Sequence, residues 1–280
     1  MINSIDHLII VVKDLNTAAK NYQKVLGIDP VWKGEHKELG TANVLFNFKN
    51  TYLELLSSKG EGLGSSLVND KLNKSGEGLA GIVFGTEDIN KTRNLLIEKG
   101  FKIDIPSEGE GINSSNQAIR KWKNLFLPSE LTRGIFSFII EHTHGELPST
   151  DPCSDAALNK LDHVVINTND SDGFIDIYKD VFGTRLALDK VIEHWNSRIL
   201  FFRTNKTTIE VIEKKDDKQT FDSLWGLAWE VESIDKAHKR LVKEGVEVTD
   251  IKSGLKENTL VATIKSHTNN VPTLLIEHTL

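Results

Sequence analysis

The sequence predicts an α+β fold built twice over, with mainly antiparallel sheets and helices on one face. Three observations carry this. The motif apolar-Asp-His-apolar opens a β-rich stretch at Ile5-Asp6-His7-Leu8 and again at Leu161-Asp162-His163-Val164, and Ile-Glu-His-Thr closes one at 140–143 and again at 276–279. The spacing is kept: 156 residues separate His7 from His163, and 156 separate Glu54 from Glu210, which marks a duplication. Within each half a strand leads into a short helix that stops at glycine and is followed by more strands, so strands outnumber helices.

Taken in order, the first strand carries His7, Ile9 and Val11 on one face and Asp6, Leu8 and Ile10 on the other. Both faces are apolar, so periodicity leaves open which is concave. Leu15, Ala18, Tyr22, Val25 and Leu26 then recur at helical spacing, and Gly27 follows. Strands are expected at 44–48 and 51–56. A second helix carries Ile89, Leu95 and Leu96 before Gly100, and strands at 122–127 and 136–142 close the half. The second half repeats the order, with Phe174, Ile177, Tyr178 and Val181 before Gly183, then strands at 198–202 and 207–212. Ile234, Ala237, Leu241 and Val242 precede Gly245, then strands at 260–264 and 273–278. Helical spacing ended by glycine is the signature of a left-handed C-cap. The Gly/Ser/Asn-rich stretches 60–78 and 106–116 read as long loops of the first half, and they shorten the offset to 136 between Glu141 and Glu277.

A chain of 280 residues suits two domains, and the Pro/Ser/Asp-rich stretch around Cys153 reads as the linker between them. Hydrophobic content of 39%, charged content of 26% and a net charge of -6 describe a globular protein, and the mild acidity disfavours nucleic acid or an anionic membrane as partner. No signal peptide is visible, and the longest apolar runs are too short to cross a bilayer, so a cytoplasmic protein is expected. Cys153, the single cysteine, has no partner for an internal disulfide and no neighbouring base, and reads as an exposed thiol.

The chemistry rests on polar residues inside apolar strands. Buried polar groups persist when paired, hydrogen-bonded or bound to metal. A lone strand histidine is more often a satisfied core residue than a ligand, but these are duplicated. His7, Gly34-Glu-His36, Gly40-Thr-Ala-Asn43, Thr51-Tyr-Leu-Glu54-Leu and Phe-Ile-Ile-Glu141-His, set in four βαβββ units, resemble the vicinal oxygen chelate superfamily. Glyoxalase I, extradiol dioxygenases, methylmalonyl-CoA epimerase and the fosfomycin and bleomycin resistance proteins belong to it. The first half is most similar to its glyoxalase-like branch.

The resemblance implies two tandem domains, 1–147 and 160–280, joined by 148–159. Each would be a pair of βαβββ units forming a curled mixed sheet, with helices outside and a divalent metal on the concave face. The implied ligand positions are His7, Glu54, Gly81 and Glu141, then His163, Glu210, Gly226 and Glu277. Gly81 and Gly226 fall where many relatives carry histidine, so at most three ligands remain per half. One histidine and two carboxylates suit Zn, Ni, Mn or Fe. Such an ion would chelate adjacent substrate oxygens and stabilise an enolate. Glu54, His36 and Glu141 are the expected catalytic groups, moving a proton next to a carbonyl of a small oxygenated metabolite in a lyase or isomerase reaction.

Two rivals stand beside this reading. His7, His36 and Glu141, or His163, His194 and Glu277, would make the two-histidine, one-carboxylate set of an extradiol-type dioxygenase, although glycine at 226 counts against it. Alternatively, Gly81 and Gly226 leave room for an apolar or aromatic guest in a non-catalytic, resistance-type binding protein. His142 and His278 follow the candidate glutamates and so are expected on the opposite face, near helices or a rim. His144, His238 and His267 are expected to face solvent. Trp32, Trp195, Trp225 and Trp229 fit either a pocket wall or core packing. Gly76-Glu-Gly78-Leu-Ala-Gly81 has dinucleotide-binding spacing but precedes a strand and is discounted. Lys214-Lys215 and Asp216-Asp217 read as a polar turn. A homodimer is common among relatives, but two clefts can be completed within one chain.

Overall fold

The computed structural model describes residues 2–150, 156–193, 196–205, 207–214 and 221–279. Cys153, His194, Trp195 and most of the expected polar turn at 214–217 lie outside them. β1 (Ser4–Val11) sets the rule the rest follows. Its Leu8 and Ile10 join the main core, whereas His7, Ile9 and Val11 line an inner hollow, so the histidine face is the concave one. α1 (Leu15–Leu26) is capped by the Asp14 carboxylate, which accepts from the Thr17 N–H, and ends at Gly27 with φ 70°. It packs Tyr22, Val25 and Leu26 into the main core, on the side away from the hollow.

The first half continues through β2 (Trp32–His36), β3 (Thr41–Asn47), β4 (Tyr52–Ser58), α2 (Leu63–Ser75), β5 (Gly78–Gly85), α3 (Ile89–Glu98), β6 (Ser107–Asn113), β7 (Ile119–Phe126), the single turn α4 (Ser129–Thr132) and β8 (Phe136–His144). The strands pair in the order β1-β4-β3-β2-β6-β7-β8-β5 and close into a barrel.

Two elements replace the expected loops. α2 forms within 60–78, a segment whose helix buries only Ser65 and Val68 while Leu63 and Leu67 sit at the hollow. So few buried positions leave little helical periodicity to read. β6 forms within 106–116 and pairs with β2, the step that closes the barrel. Its glycines hid it. A Cβ on Gly109 would come within 2.3 Å of the Trp122 indole Nε1, so the bare backbone is what lets that ring lie against the strand.

The second half holds β9 (Leu158–Thr168), α5 (Ser171–Ile175), which runs into a π-helical turn over Asp176–Val181, β10 (Arg185–Ile192), β11 (Ser197–Thr204), β12 (Thr207–Glu213), β13 (Ser223–Val231), α6 (Ile234–Lys243), β14 (Lys252–Ser253), β15 (Thr259–Ile264) and β16 (Thr273–His278). Its order is β10-β11-β12-β9-β13-β16-β15-β14, an open sheet. The convex faces of both sheets share one apolar core, with Phe48 against Trp229 at 4.4 Å. Asn50 bonds both the carbonyl and the N–H of Leu161, and the Arg240 guanidinium donates to the Lys24 and Val25 carbonyls across the same seam. Among the described residues, no helix is long and apolar enough to cross a membrane.

Candidate active site in the first half

The barrel encloses a cavity of about 330 Å³. Strand alternation decides its lining. β3 contributes Thr41 and Asn43, β4 Tyr52 and Glu54, β7 Arg120 and Trp122, and β8 Phe136, Phe138 and Ile140. Leu, Ile, Phe and Trp dominate, with a few polar groups among them, the usual composition of a small-molecule site. A second hollow of about 210 Å³ lies between α1 and β2, where Lys59 and Glu35 pair in the open.

The polar groups form a chain. His7 Nδ1 lies 2.7 Å from Asp6 Oδ1, and Asp6 Oδ2 lies 3.0 Å from His142 Nε2. On its other side His7 Nε2 faces Glu54 Oε2 at 3.5 Å, and the Asn43 amide donates to Glu54 Oε1 at 2.7 Å. The His7 ring stacks on Tyr52 with centroids 4.4 Å apart. A carboxylate at each nitrogen favours the imidazolium form of His7. Burial pushes its pKa down, but the bonds to Asp6 and Glu54 outweigh that and raise it. Glu54 moves the matching way: burial pushes its carboxyl up, and His7, with help from His36 and Asn43, brings it below its ordinary value. Asp6 is held well below the carboxylate range against its own burial, because His142 and His7 both bond it. Burial lowers the pKa of His36, whose Nδ1 lies 3.0 Å from Thr41 Oγ1, so this imidazole is neutral near pH 7. Burial raises Tyr52, which keeps its proton.

Of the expected first-half residues, His7, Glu54 and His36 line the cavity together, and Glu141 does not. Glu141 lies on the outer face of β8, where Oε2 accepts from the Ile89 N–H at 2.9 Å and satisfies an orphan donor at the start of α3. Glu277 does the same for Ile234 at the start of α6, at 2.6 Å. Both are corrections to the expected ligand sets and, for Glu141, to a catalytic role. The reason is the two-residue period: Ile140 takes the inner face, so Glu141 cannot. His142 and His278, expected on the opposite face near the helices or a rim, sit on the rim of the concave face, each bonded to the aspartate of its own half. His163 and Glu210 repeat the first-half contact at 3.0 Å, with side chains 16% and 18% exposed against 4% and 10% for His7 and Glu54.

Several smaller expectations also shift. The space at Gly81 is taken by Phe136 and Ile9, and at Gly226 by the Pro272 backbone, so neither glycine leaves room for a guest. Trp32 lines the cavity, Trp229 is core and Trp225 is half exposed. His144 is exposed, whereas His238 and His267 are half-buried. Sequence reasoning passed over Asp6, Asn43, Tyr52 and Arg120. The signal for Asp6 was in plain view, since the duplicated motif repeats the aspartate together with the histidine.

Whether these residues suit a metal can be tested on the donors themselves. In the first half two ligand atoms face each other across the cavity wall, His7 Nε2 and Glu54 Oε2. The other two implied positions are the packed Gly81 and the outward Glu141. This donor set does not fit the three- or four-residue centre that the resemblance implies. Among the described residues a three-donor group occurs in the second half, where ligand atoms of Asp162, Glu230 and His278 lie within 4.8 Å of one another. There the Lys160 ammonium already sits 2.9 Å from Glu230 Oε2.

Comparison with known proteins agrees with this architecture. Residues 5–182 match the model of the glyoxalase-like domain, and residues 162–263 match that of the glyoxalase/bleomycin resistance protein/dioxygenase superfamily. An ethylmalonyl-CoA/methylmalonyl-CoA epimerase from Cereibacter sphaeroides is 32% identical over 103 residues, covering 37% of this chain and 75% of the epimerase. A mutant of 4-hydroxymandelate synthase from Streptomyces coelicolor superposes with a TM-score of 0.70 at 14% identity, over 99% of this chain and 92% of its own. The Mn(II)-bound glyoxalase from Novosphingobium aromaticivorans superposes at 0.64, also at 14% identity, over 100% and 83%. At such identities these two structures speak for the fold alone.

Proposed function

The chain belongs to the glyoxalase-like domain family, and from that premise we propose that the first-half barrel binds a small, largely apolar ketone or aldehyde and moves a proton at the carbon beside its carbonyl. The observation that carries this reading is the buried His7–Glu54 pair set in the wall of a largely apolar cavity. Glu54 is ionised and shielded from bulk water, so it is in the form that can accept a proton. In this reading Glu54 takes the proton from carbon, and the electron pair left behind moves onto the carbonyl oxygen. The imidazolium of His7 donates a hydrogen bond to that oxygen through Nε2 and stabilises the enolate. Returning the proton from Glu54 to the same or a neighbouring carbon gives epimerisation or isomerisation. Asp6 keeps His7 oriented through Nδ1, and neutral His36 can bond a second substrate oxygen. No step is routed through a divalent ion, because the donors in this cavity do not fit one.

Deuterium exchange into benzyl ketones, with phenylacetone as the simplest, tests the reading by NMR in D₂O. Protein-dependent exchange at the carbon beside the carbonyl is expected, and Glu54→Gln should remove it while leaving the fold intact. Exchange that is unaltered in Glu54→Gln rejects the assignment. A second reading, sequestration without chemistry, is favoured by the small number of polar groups on the cavity wall. It is the outcome if ligands bind and no proton exchanges.

A further inference from the structure

Accepting that the first-half cavity takes a small apolar molecule, we infer that this molecule also carries a carboxylate and that Arg120 is the residue that holds it. Arg120 is 6% exposed and lines the cavity. Its guanidinium lies over the rings of Trp32 and Tyr52, 5.6 and 5.5 Å from their centroids. Nη2 reaches His142 Nδ1 at 3.4 Å, and the buried Nε has no hydrogen-bond partner. A guanidinium stays charged at any working pH, and a buried charge is costly unless an opposite charge or a full set of hydrogen bonds meets it.

Within the described residues no carboxylate lies at ion-pair distance from Arg120. The nearest acid along its contacts is Asp6, one imidazole away, and both Asp6 oxygens are already bonded to His142 and His7. The second half and its seam with the first treat arginine differently. Arg133 is met by Asp222 at 2.6 Å and Asp170 at 3.2 Å, and Arg198 by Asp172 and Asp189. Arg120 alone among these three faces a cavity with its charge unmet.

A guanidinium grips a carboxylate through two parallel N–H groups on one edge. Around it, Trp32 and Trp122 offer flat apolar surface to a ring or chain. His7 and Arg120 both abut Tyr52, so the reacting carbonyl and the anchored carboxylate belong to one compact molecule. The substrate class is therefore an apolar oxo-acid, with Arg120 as a binding residue that selects the acid.

Binding of 2-naphthoate and of its uncharged counterpart 2-naphthamide, followed by naphthalene fluorescence or calorimetry, tests this apart from any catalysis. The acid is expected to bind about ten-fold or more tightly than the amide, a size suited to a charge-assisted two-bond contact. Arg120→Gln should erase that preference and leave naphthamide affinity unchanged, with a thermal melt to show that the variant folds. If it does not fold, Arg120→Lys serves in its place, since it keeps the charge but not the two-bond edge and should weaken naphthoate alone. Equal binding of acid and amide by the unaltered protein, or equal losses of both in the variants, overturns the inference and leaves the cavity reading standing. Binding of neither removes both.

Discussion

The two halves carry the same Asp-His pair and the same His-Glu contact, yet they enclose it differently. In the first half β6 is seven residues long, bonds β2 and completes a barrel. At the corresponding place the second half has β14, two residues long and paired with β15 on the sheet edge. Between β4 and β5 the first half also places α2 over the hollow, where residues 214–222 connect β12 to β13 in the second half. The difference shows what a charged pair needs in order to become a site. His163 and Glu210 are closer together than His7 and Glu54, but they are more exposed, and contact with water screens the field that such a pair exerts on a bound molecule. The rim differs as well. Ala228 pairs with His163 as Val83 pairs with His7, and two residues further along β13 stands Glu230 where β5 has Gly85. That one exchange gives the second half its acid-rich rim.

The largest expected effect tests this contrast directly. If enclosure makes the site, Glu54→Gln should cut proton exchange by roughly 10²- to 10⁴-fold, the usual worth of a general base, whereas Glu210→Gln should leave it within about two-fold of the unaltered protein. Isotope uptake into phenylacetone measures both. Equal losses would mean that the halves work together and that enclosure is not the deciding feature.

The next effect runs the other way and belongs to the second half. Burial pushes His163 down, but Asp162 and Glu210 more than reverse it and raise its pKa from 6.5 to about 9. A histidine with a raised folded pKa contributes stability that is complete below about 6.5 and is lost as pH climbs through about 9. With each pKa unit worth about 1.4 kcal/mol, stability is expected to fall by a few kcal/mol across that window. Urea unfolding between pH 6 and pH 10 measures it. Glu210→Gln should reduce the slope and leave the share of His7, whose pKa is also raised; a slope unchanged in that variant would assign it to other groups.

Much of this organisation can be read without coordinates, and what cannot has physical causes. The helices at Leu15–Leu26, Ile89–Glu98 and Ile234–Lys243 bury one face and end in a terminal glycine turn, so their pattern is plain. α2 and β6 lack that pattern because α2 covers a hollow and the glycines of β6 lie under a tryptophan. Within the cavity, His7 and Glu54 are legible from the repeat, but the choice between Glu141 and His142 is a matter of strand register. One residue of register moves every side chain to the other face. A string such as Phe138-Ile139-Ile140 is apolar on both faces and gives no sign of which is inner.

That register makes a prediction in which the halves should agree. Glu141 and Glu277 each accept a hydrogen bond from the first residue of a helix, so Glu141→Ala and Glu277→Ala should each cost about 0.5–2 kcal/mol, the range for a lost N-terminal cap. Neither should alter ligand binding. Chemical denaturation with 2-naphthoate titration checks both sides. A loss of binding in Glu141→Ala without a change in stability would return that residue to the cavity and undo the register assigned here.

The smallest change in stability is expected at α2, and there the halves part again. Leu63 and Leu67 are 71% and 48% exposed yet line the cavity, so they contribute little to the core. Replacing both with serine should move stability by no more than about 0.5 kcal/mol, as for surface positions in general. Ligand affinity is another matter, because these two side chains supply apolar surface to a molecule bound in the cavity. Each leucine that becomes covered on binding is worth about 1.5–3 kcal/mol at full burial, so the partial cover available here should weaken 2-naphthoate several-fold. Calorimetry on the double variant reads both quantities in one sample. Weaker binding at constant stability would show that α2, which has no counterpart among the described residues of the second half, is there to complete the cavity; unchanged binding would leave the enclosure of the first-half site to barrel closure by β6.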